Sequence, residues 1–423
     1  MTLGFLLLRK GAIKVVGSII QAALDRGHRV VLAVNPDEKK PGEQVREDDL
    51  KGWPKAARVT YRRGTPLLPE LKREHVEGLV APSIHYLLTV TGHEPEIDPI
   101  RQSGVKLFSV DYVFETVTSE PRSYRVTDVT FYTSEYQREL HWRVFREGFA
   151  ALGPTVDVHA RSAVVGSTMS DQLRLVDADA VRRRFGVAPG KPVVVFMSLK
   201  MVVPGRSREL MWGSRPRGIR AFEALLRRRA DLLPEIFRGN AYRDLVDAVH
   251  EFCRKSGAAL IVKSREKNED PSFLRRIADG FICDDAVYPY TSIELMSIAS
   301  LCIHFQSGAV LEAAAAKVPS LSVRVSQEHL RSFSSETFDD VYGAHEGSLQ
   351  NFPGIVWSLD SEAATERLRT ASLADFKVDA DARRRYVEKF LGFDDLQASV
   401  RVLERIEKSV GASGARGVAP PRG

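Results

Sequence analysis

Two patterns of apolar and polar positions alternate along the chain: short apolar runs typical of buried strands, and longer stretches with helical spacing. "LGFLLL" (3–8) predicts a strand, "AIKVVGSIIQAALDRG" (12–27) an amphipathic helix that ends at a glycine, and "RVVLAVN" (29–35) the next strand. Such βαβ units imply a parallel sheet. Further strands are predicted at "ARVTYR", "VEGLVAP", "VKLFSV" and "DVTFYTS". Residues 36–55, rich in Lys, Glu, Asp and Pro, predict an exposed loop.

The pattern restarts near residue 180. "DADAVRRRFGVAPGKPVVVFMSLK" predicts a capped helix, a turn with Gly and Pro, and a strand from Val193 to Met197. Strands are also predicted at 258–264, 301–306, 319–325 and 354–359. The chain is therefore predicted to be α/β, with two Rossmann-like halves built on parallel sheets.

The end of the chain has helical spacing that is interrupted at "LGFDD", which predicts two helices within "DARRRYVEKFLGFDDLQASVRVLERIEKSV". The last residues, "GASGARGVAPPRG", offer little apolar surface to bury and predict a disordered tail. With 423 residues the chain also exceeds the ~250–300 residues at which single cores stop growing, so two domains are expected.

The composition favours a cytoplasmic protein. Apolar residues make up 43% of the chain and charged residues 27%, and no apolar run approaches the ~18–20 residues of a membrane span. The apolar residues at the start precede basic ones and predict the first strand rather than a signal peptide. The three cysteines lack metal-ligand spacing and favour buried thiols in a reducing compartment.

The net charge of +6 arises largely from runs such as "VRRRFG", "LLRRRADL" and "DARRRYVEKF". Such runs commonly form solvated helix faces. The alternative is an anionic ligand or peripheral contact with the inner face of the membrane. Nucleic acid is not expected as a partner, because no recognisable nucleic-acid module accompanies the charge.

The stretch "CIHFQSGAVLEAAAAKVPSLSV" (302–323) reads as strand, small-residue turn, helix and strand. The first amides of a helix lack partners and attract anions such as phosphate, and Ser307 and Gly308 would let a phosphate approach. Glu312, about one turn later, is suited to accept hydrogen bonds from ribose hydroxyls. The structural alternative is ordinary packing, with Ser307 as a helix cap.

Polar residues follow two other predicted strands of the second half. Lys263, with Arg265 close behind it, stands at the end of one strand, and Ser198 and Lys200 follow another. Ligands of open α/β sheets bind at these carboxyl ends, where a lysine suits a phosphate. A lysine that simply leaves the strand for solvent is the alternative.

The first half offers an acceptor loop and two candidate bases. Arg9, Lys10 and Gly11 lie between the first strand and helix, without the GxGxxG of a dinucleotide site. His85 and Asp111 follow apolar strands, and either could deprotonate an acceptor hydroxyl. A cap or a hydrogen-bonded support is the commoner role at such positions.

The tripeptide "DAD" occurs at 177–179 and 379–381 and mimics a paired-carboxylate metal motif. Both copies directly precede arginine-rich helices, so helix capping is the preferred interpretation. No HExxH or tight ligand cluster is present, and neither a metal nor another cofactor is expected.

Together these patterns resemble the GT-B glycosyltransferases of bacterial surface-polysaccharide synthesis, which border the CDP-glycerol glycerophosphotransferases and the UDP-N-acetylglucosamine 2-epimerases. Four stretches carry the resemblance: "FYTSEYQREL", "VVGSTMSDQL", "ASLCIHFQSGAVLEAAAAKVPSLSV" and "RRRYVEKFLGFDDLQASVRVLERI". The second resembles a Gly-x-Pro-x-x-Asp element that joins the two domains, with Thr168 in place of the proline.

The resemblance implies two facing domains, with the donor nucleotide held mainly by the second. Ser307 and Gly308 would face the diphosphate, Glu312 the ribose and Lys263 a phosphate, while Gly11 and its neighbours would line the cleft. The implied boundaries are an acceptor domain at 1–165, a donor domain at 166–380, closing helices at 381–408 that pack toward the first domain, and a tail at 409–423.

The leading hypothesis is a metal-independent glycosyltransferase that moves a sugar from a nucleotide-sugar donor to a glycan, lipid-linked or small-molecule hydroxyl acceptor. A nucleotide-sugar 2-epimerase and a polyol-phosphate transferase are the enzymatic alternatives. The His-rich signatures of glycerophosphotransferases are missing, which favours sugar transfer. A non-catalytic GT-B-like binding protein is the other class, and nucleotide binding without product would identify it.

Overall fold

The computed structural model folds as two compact units. Unit 1 comprises Met1–Leu175, Ala286–Tyr290 and Val387–Gly423, and unit 2 comprises Val176–Asp285 and Thr291–Tyr386. The structure describes residues 1–36, 43–111, 123–144, 146–153, 157–198, 216–230, 233, 236, 241–264, 270, 272–283, 286–324, 343 and 345–414.

Unit 1 is built on a sheet of seven parallel strands in the order β3-β2-β1-β4-β5-β6-β7. The strands are β1 (Thr2–Leu7), β2 (Arg29–Val34), β3 (Ala57–Thr60), β4 (Gly78–Pro82), β5 (Lys106–Asp111), β6 (Val129–Tyr132) and β7 (Ser162–Val164). Residues of β1, β4 and β5 are buried almost throughout, as expected for a parallel sheet covered on both faces.

The helices of unit 1 are short except for the first and the last. They are α1 (Lys10–Asp25), α2 (Glu47–Leu50), α3 (Leu68–Arg73), α4 (Ile84–Val90), α5 (Ile97–Gln102), α6 (Ser123–Val126), α7 (Glu135–Val144) and α8 (Arg146–Ala150), with 3-10 turns at Glu94–Glu96 and Ser170–Leu175. The last helix of the chain, Ala398–Gly414, shares a core cluster with α1 through Val402, Leu403 and Ile406.

Unit 2 repeats the plan with six parallel strands in the order β10-β9-β8-β11-β12-β13. The strands are β8 (Val193–Met197), β9 (Ala259–Lys263), β10 (Gly280–Ile282), β11 (Leu301–His304), β12 (Ser320–Arg324) and β13 (Val356–Asp360). β-branched and aromatic residues fill two core clusters, one on each face of the sheet. Both parallel sheets confirm the predicted α/β class.

The remaining helices are α9 (Ala178–Arg184), α10 (Arg217–Leu226), α11 (Ala241–Lys255), α12 (Ser272–Ile277), α13 (Thr291–Met296), α14 (Ala309–Ala315), α15 (Ser361–Thr370), α16 (Ala380–Phe390) and α17 (Ala398–Gly414), with a 3-10 turn at Leu373–Phe376. The break between α16 and α17 confirms the two predicted terminal helices. No helix among the described residues combines the length and apolarity needed to cross a membrane.

Two local predictions need correction. The segment 36–55 is not simply an exposed loop, because α2 forms there and the Trp53 ring packs 4.8 Å from that of Tyr288. The predicted tail is helical as far as Gly414, because Val410 packs against the core of unit 1. The residues after Gly414 lie outside the described residues.

Two motifs from the sequence have structural roles here. The side chain of Asp177 accepts hydrogen bonds from the amides of Asp179 and Ala180, which confirms capping. Asp379 likewise accepts from the amide of Ala382 at 2.7 Å. In the element that resembles a domain-joining motif, the buried carboxylate of Asp171 accepts from two amides at the start of α17, and Thr168 donates to the carbonyl of Val15 at 2.7 Å.

Candidate functional site

Each sheet has a point at which the order of its strands reverses. In unit 2 the chain runs from β8 to β9 and β10 on one side, then returns to β11 on the other side of β8. Ligands of open α/β sheets bind in the crevice at the carboxyl ends of two such strands. Ser198 follows β8 there, and Ser307 and Gly308 follow β11. The fold thus brings these predicted residues to one place.

The turn after β11 is held by its own side chains. The amide of Ser307 donates to Nδ1 of His304 at 3.2 Å, and the Ser307 Oγ atom accepts from the amide of Ala309 at 3.3 Å. Ser307 therefore supports the first amide of the helix from the position before its N-cap residue, Gly308. Gly308 is exposed, and a Cβ built on it would meet no atom within 4 Å. This glycine leaves room for a ligand to approach the backbone.

The helix that follows, α14, has seven residues, so its dipole is small and gives less attraction to an anion than the sequence argument assumed. An anion bound at this turn would therefore depend on side-chain charges and on the loop itself.

Backbone strain occurs at the same position in both units. Gln306, after β11, has φ 42°, and Ser83, after β4, has φ 47°. β4 and β11 are the strands with which the chain returns to the other side of the first strand of each sheet. Non-glycine residues in the left-handed region cost of order 1–3 kcal/mol and cluster at functional sites. Of the other four such residues in the part of the chain that the structure describes, His75, Arg228 and Lys317 follow helix ends, where this conformation is an ordinary termination.

A row of buried polar side chains crosses the sheet of unit 2 at its carboxyl edge. Lys263 pairs with Met197, and His304 pairs with Ser322, while Phe196 pairs with Ile303 one residue earlier. Residues in one row of a parallel sheet point to the same face. Lys263, His304 and Ser322 therefore share the face that α14 covers, since Met197 and Cys302 belong to one core cluster with Ala309 and Ala313.

Hydrogen bonds hold these buried groups, and they link His304 to Ser322 through Ser307 and Gln350. The ammonium of Lys263, with 5% of the residue exposed, donates to the carbonyl of Ser264. Gln350 accepts from the Ser322 hydroxyl at 2.9 Å and donates to the carbonyl of Ser307 at 3.2 Å. The side chain of Gln350 therefore ties the turn after β11 to the end of β12.

His304 is neutral under ordinary conditions, because burial lowers its pKa to about 3. Since Nδ1 accepts the Ser307 amide, the ring proton resides on Nε2. Among the described residues Nε2 has no hydrogen-bond partner. A buried N–H donor of this kind costs about 1–3 kcal/mol, so a compensating role is expected at the site.

Glu312 lies on α14 with 9% of the residue exposed. Burial raises the pKa of the Cys302 thiol, and the Glu312 carboxylate raises it further, which places the carboxylate close to β11. Its predicted role toward a ribose stays a prediction. Lys200 and Arg265 lie outside the described residues.

In unit 1 the order of strands reverses between β1 and β4. Arg9, Lys10 and Gly11 follow β1, and His85 lies in the first turn of α4 after β4, so these four predicted residues come to one edge. The ammonium of Lys10 lies 3.5 Å from a carboxylate oxygen of Asp49. Lys10 was predicted to face an acceptor, but its charge is paired with Asp49 instead.

Asp111 ends β5 at the same edge but is buried. Its carboxylate accepts from the Ser83 hydroxyl at 3.3 Å and lies 3.9 Å from Nδ1 of His141, which is itself fully buried. Tyr132, beside Asp111 in the register, packs edge-on against the His141 ring. Asp111 is therefore placed to orient neighbouring groups, whereas the half-buried His85 is the more accessible of the two candidates.

Four contributors were absent from the sequence prediction: His304, Ser322, Gln350 and His141. A polar residue inside the apolar run "LCIHF" was a signal for His304, and Gln137 and His141, four residues apart, mark one buried helix face. Nothing local marked Gln350, which meets its partner across 28 residues. The described residues contain no group of three or more His, Cys, Asp or Glu side chains placed to hold a metal.

The fold is of the GT-B class: two α/β units with parallel sheets, in each of which the fourth strand returns to the free side of the first. No protein-family model and no curated protein matches the chain. Similar solved structures include the UDP-GlcNAc 2-epimerase of Methanocaldococcus jannaschii, at 14% identity over 96% of this chain and 100% of that one, with a TM-score of 0.54.

The UDP-GlcNAc 2-epimerase of Neisseria meningitidis, bound to UDP-GlcNAc, is 11% identical over 96% of this chain and 99% of that one, with a TM-score of 0.54. The wall teichoic acid polymerase TagF is 12% identical over 98% of this chain and 89% of that one, with a TM-score of 0.57. At these identities the likeness is one of fold, and it agrees with the fold that the sequence resemblance predicted.

Proposed function

We propose that this protein is a glycosyltransferase that moves a sugar from a nucleotide-sugar donor to a hydroxyl acceptor, with the donor nucleotide bound at the reversal point of unit 2. The observation that carries the proposal is the buried row of Lys263, His304 and Ser322 beside the open turn at Gly308. Support also comes from the fold, since the similar epimerase of Neisseria meningitidis was solved with UDP-GlcNAc.

The chemistry assigns a task to each group. The acceptor oxygen would attack the anomeric carbon as the bond from that carbon to the diphosphate oxygen breaks. The diphosphate then carries the additional negative charge, which Lys263 would stabilise in a poorly hydrated place where a charge acts strongly. The acceptor proton would pass to a base, for which His85 is the candidate.

The proposal needs no metal ion, since an ammonium group carries the stabilisation of the leaving group. Turnover should therefore persist when the protein is assayed in a metal chelator. A loss of turnover that added Mg²⁺ restores would contradict this part of the proposal.

The test is a two-stage experiment on the full chain. Nucleoside diphosphates of uridine, cytidine, guanosine and thymidine, and their sugar conjugates, are first compared for thermal stabilisation, which ligand binding must produce by mass action. The conjugate that binds is then incubated with and without hydroxyl acceptors. A transferred sugar supports the proposal, while a new nucleotide-sugar formed without acceptor indicates an epimerase.

Two outcomes would contradict the proposal in different ways. Binding with no product under any condition would identify a non-catalytic protein with this fold. If no nucleotide stabilises the protein, the proposed donor site is wrong. The variant Glu312→Ala, measured beside the wild type, tests whether the nucleotide lies against α14.

A further inference from the structure

One helix of unit 2 presents its large apolar side chains to solvent. In α10 (Arg217–Leu226) the exposed fractions are 49% for Ile219, 62% for Phe222, 54% for Leu225 and 69% for Leu226. Surface helices ordinarily direct such residues to the core. Four of them on one helix form a contiguous patch that calls for a covering partner.

The inward face of the same helix explains this orientation. Arg220, Ala221 and Ala224 are buried, and their spacing of one and then three residues follows the helical repeat. The buried face thus consists of one arginine and two alanines, and the large apolar side chains point away from the protein. The helix α10 is amphipathic, and its apolar face points to solvent.

The charge around the patch indicates the kind of surface that covers it. The segment 216–230, "PRGIRAFEALLRRRA", contains five arginines and one acidic residue, Glu223. Arg227 and Arg228 are exposed and follow the patch directly. Apolar side chains flanked by arginines match the boundary between the acyl chains and the headgroups of an anionic bilayer.

We infer that α10 is an interfacial helix that docks this protein on a bilayer containing anionic lipids, with Phe222 and Leu226 inserted among the acyl chains. Ten helical residues span about 15 Å, enough to lie in the plane of the headgroups. This inference is independent of the donor site, because it depends on a different surface of unit 2.

Vesicle flotation of the full chain tests the inference. Vesicles of phosphatidylcholine alone are compared with vesicles that also contain phosphatidylglycerol. We expect binding to the anionic vesicles and weaker binding at high salt, because screening removes the electrostatic part. The double variant Phe222→Glu, Leu226→Glu should lower the partition coefficient at least ~tenfold.

Matched variants separate this surface from general effects. Leu175→Glu places the same charge at another exposed leucine, 46% accessible, and should leave flotation unchanged. Arg227→Gln with Arg228→Gln should weaken binding about fivefold per arginine. As a control, Arg384→Gln with Arg385→Gln replaces two other exposed arginines and should leave vesicle binding unchanged.

Each of three flotation results would overturn the inference: the wild type does not float with anionic vesicles, the double variant Phe222→Glu, Leu226→Glu floats as well as the wild type, or binding does not weaken with salt. A concentration-dependent dimer that Phe222→Glu dissociates would also overturn it, because a second copy would then cover the patch. Thermal unfolding of each variant confirms that the fold is intact, as expected for exposed positions.

Discussion

Nδ1 of His304 accepts a hydrogen bond from the amide of Ser307 at 3.2 Å. The last residue of β11 thereby fixes the turn that follows it, and Gln350 holds the same turn from the other side through the Ser307 carbonyl. A turn secured at both its amide and its carbonyl is preorganised before any ligand arrives. If a nucleotide binds at this turn as proposed, such preorganisation lowers the cost of binding.

The burial of His304 predicts a stability that depends on pH. Its pKa falls from the ordinary 6.5 to about 3 in the folded protein. Between these pH values the imidazole binds a proton in the unfolded chain but not in the folded protein. The free energy of unfolding therefore decreases as the pH falls through this window. At about pH 5 this residue alone should remove about 2 kcal/mol relative to neutral pH.

Urea denaturation of the wild type and of His304→Asn at several pH values measures this contribution. Asparagine keeps an acceptor near the position of Nδ1 but cannot titrate, so the variant should show a flatter dependence between about pH 5 and pH 7. The same slope in both proteins would show that His304 is not the source.

The architecture was accessible from the sequence because the signal is local. Strands such as Val193–Met197 are continuous apolar runs, and the glycines and prolines between them mark the turns. The burial of Trp53 was not predicted, because its partner Tyr288 lies far along the chain. No pattern near residue 53 indicates that its ring is buried.

The candidate site was predictable only where one strand end supplies its residue. Lys263, Ser307 and Gly308 follow from that rule. Asp111 was also found by it, but its burial depends on Ser83 and His141, which come from other elements. Long-range partners decide whether a strand-end carboxylate faces a substrate or supports a neighbour, and the local pattern contains no such information.

If the ammonium of Lys263 faces a diphosphate, Lys263→Met should weaken binding of the selected nucleoside diphosphate by ~10- to 100-fold, the value of a charged hydrogen bond. Binding of the matching uncharged nucleoside should stay the same. The exposed Lys255→Met in the same unit serves as control. Calorimetric titration distinguishes the cases, and equal losses for nucleoside and diphosphate would place Lys263 away from the phosphates.

Gly308→Ala tests whether the ligand approaches the backbone of the turn. Gly308 has φ −58° and ψ −15°, which alanine adopts freely, and the added methyl group would meet nothing in the protein. Stability should therefore be unchanged or rise by about 0.5 kcal/mol, while nucleotide affinity should fall at least ~tenfold. Gly411→Ala, also exposed in a helix with open space around it, should raise stability by a similar amount and leave nucleotide affinity unchanged.

Removal of the candidate base should affect turnover rather than binding. We expect His85→Gln to lower kcat by ~10²- to 10⁴-fold with an unchanged Kd for the nucleotide. Asp111→Ala should instead destabilise the fold by about 1–3 kcal/mol, because it removes the acceptor of the buried Ser83 hydroxyl. The exposed His345→Gln is the matched control. Normal turnover in His85→Gln would assign the proton transfer to another group.

A comparison of two glycines that follow helices tests how the segment after α16 packs in unit 1. Gly27 follows α1 with φ 77°, and Gly392 follows α16 with φ 78°. A Cβ on Gly27 would meet nothing, whereas one on Gly392 would lie 2.4 Å from the carbonyl oxygen of Thr133. Gly27→Ala should therefore cost about 1 kcal/mol from backbone strain alone.

Gly392→Ala adds a steric clash to the same strain and should cost on the order of 3 kcal/mol in the free energy of unfolding. Because the two glycines have nearly the same φ, the difference between the variants measures the contact with Thr133. Chemical denaturation of both variants gives this difference. Equal costs would mean that the segment after α16 does not pack against the end of β6 in solution, and the placement of α17 on unit 1 would then fail with it.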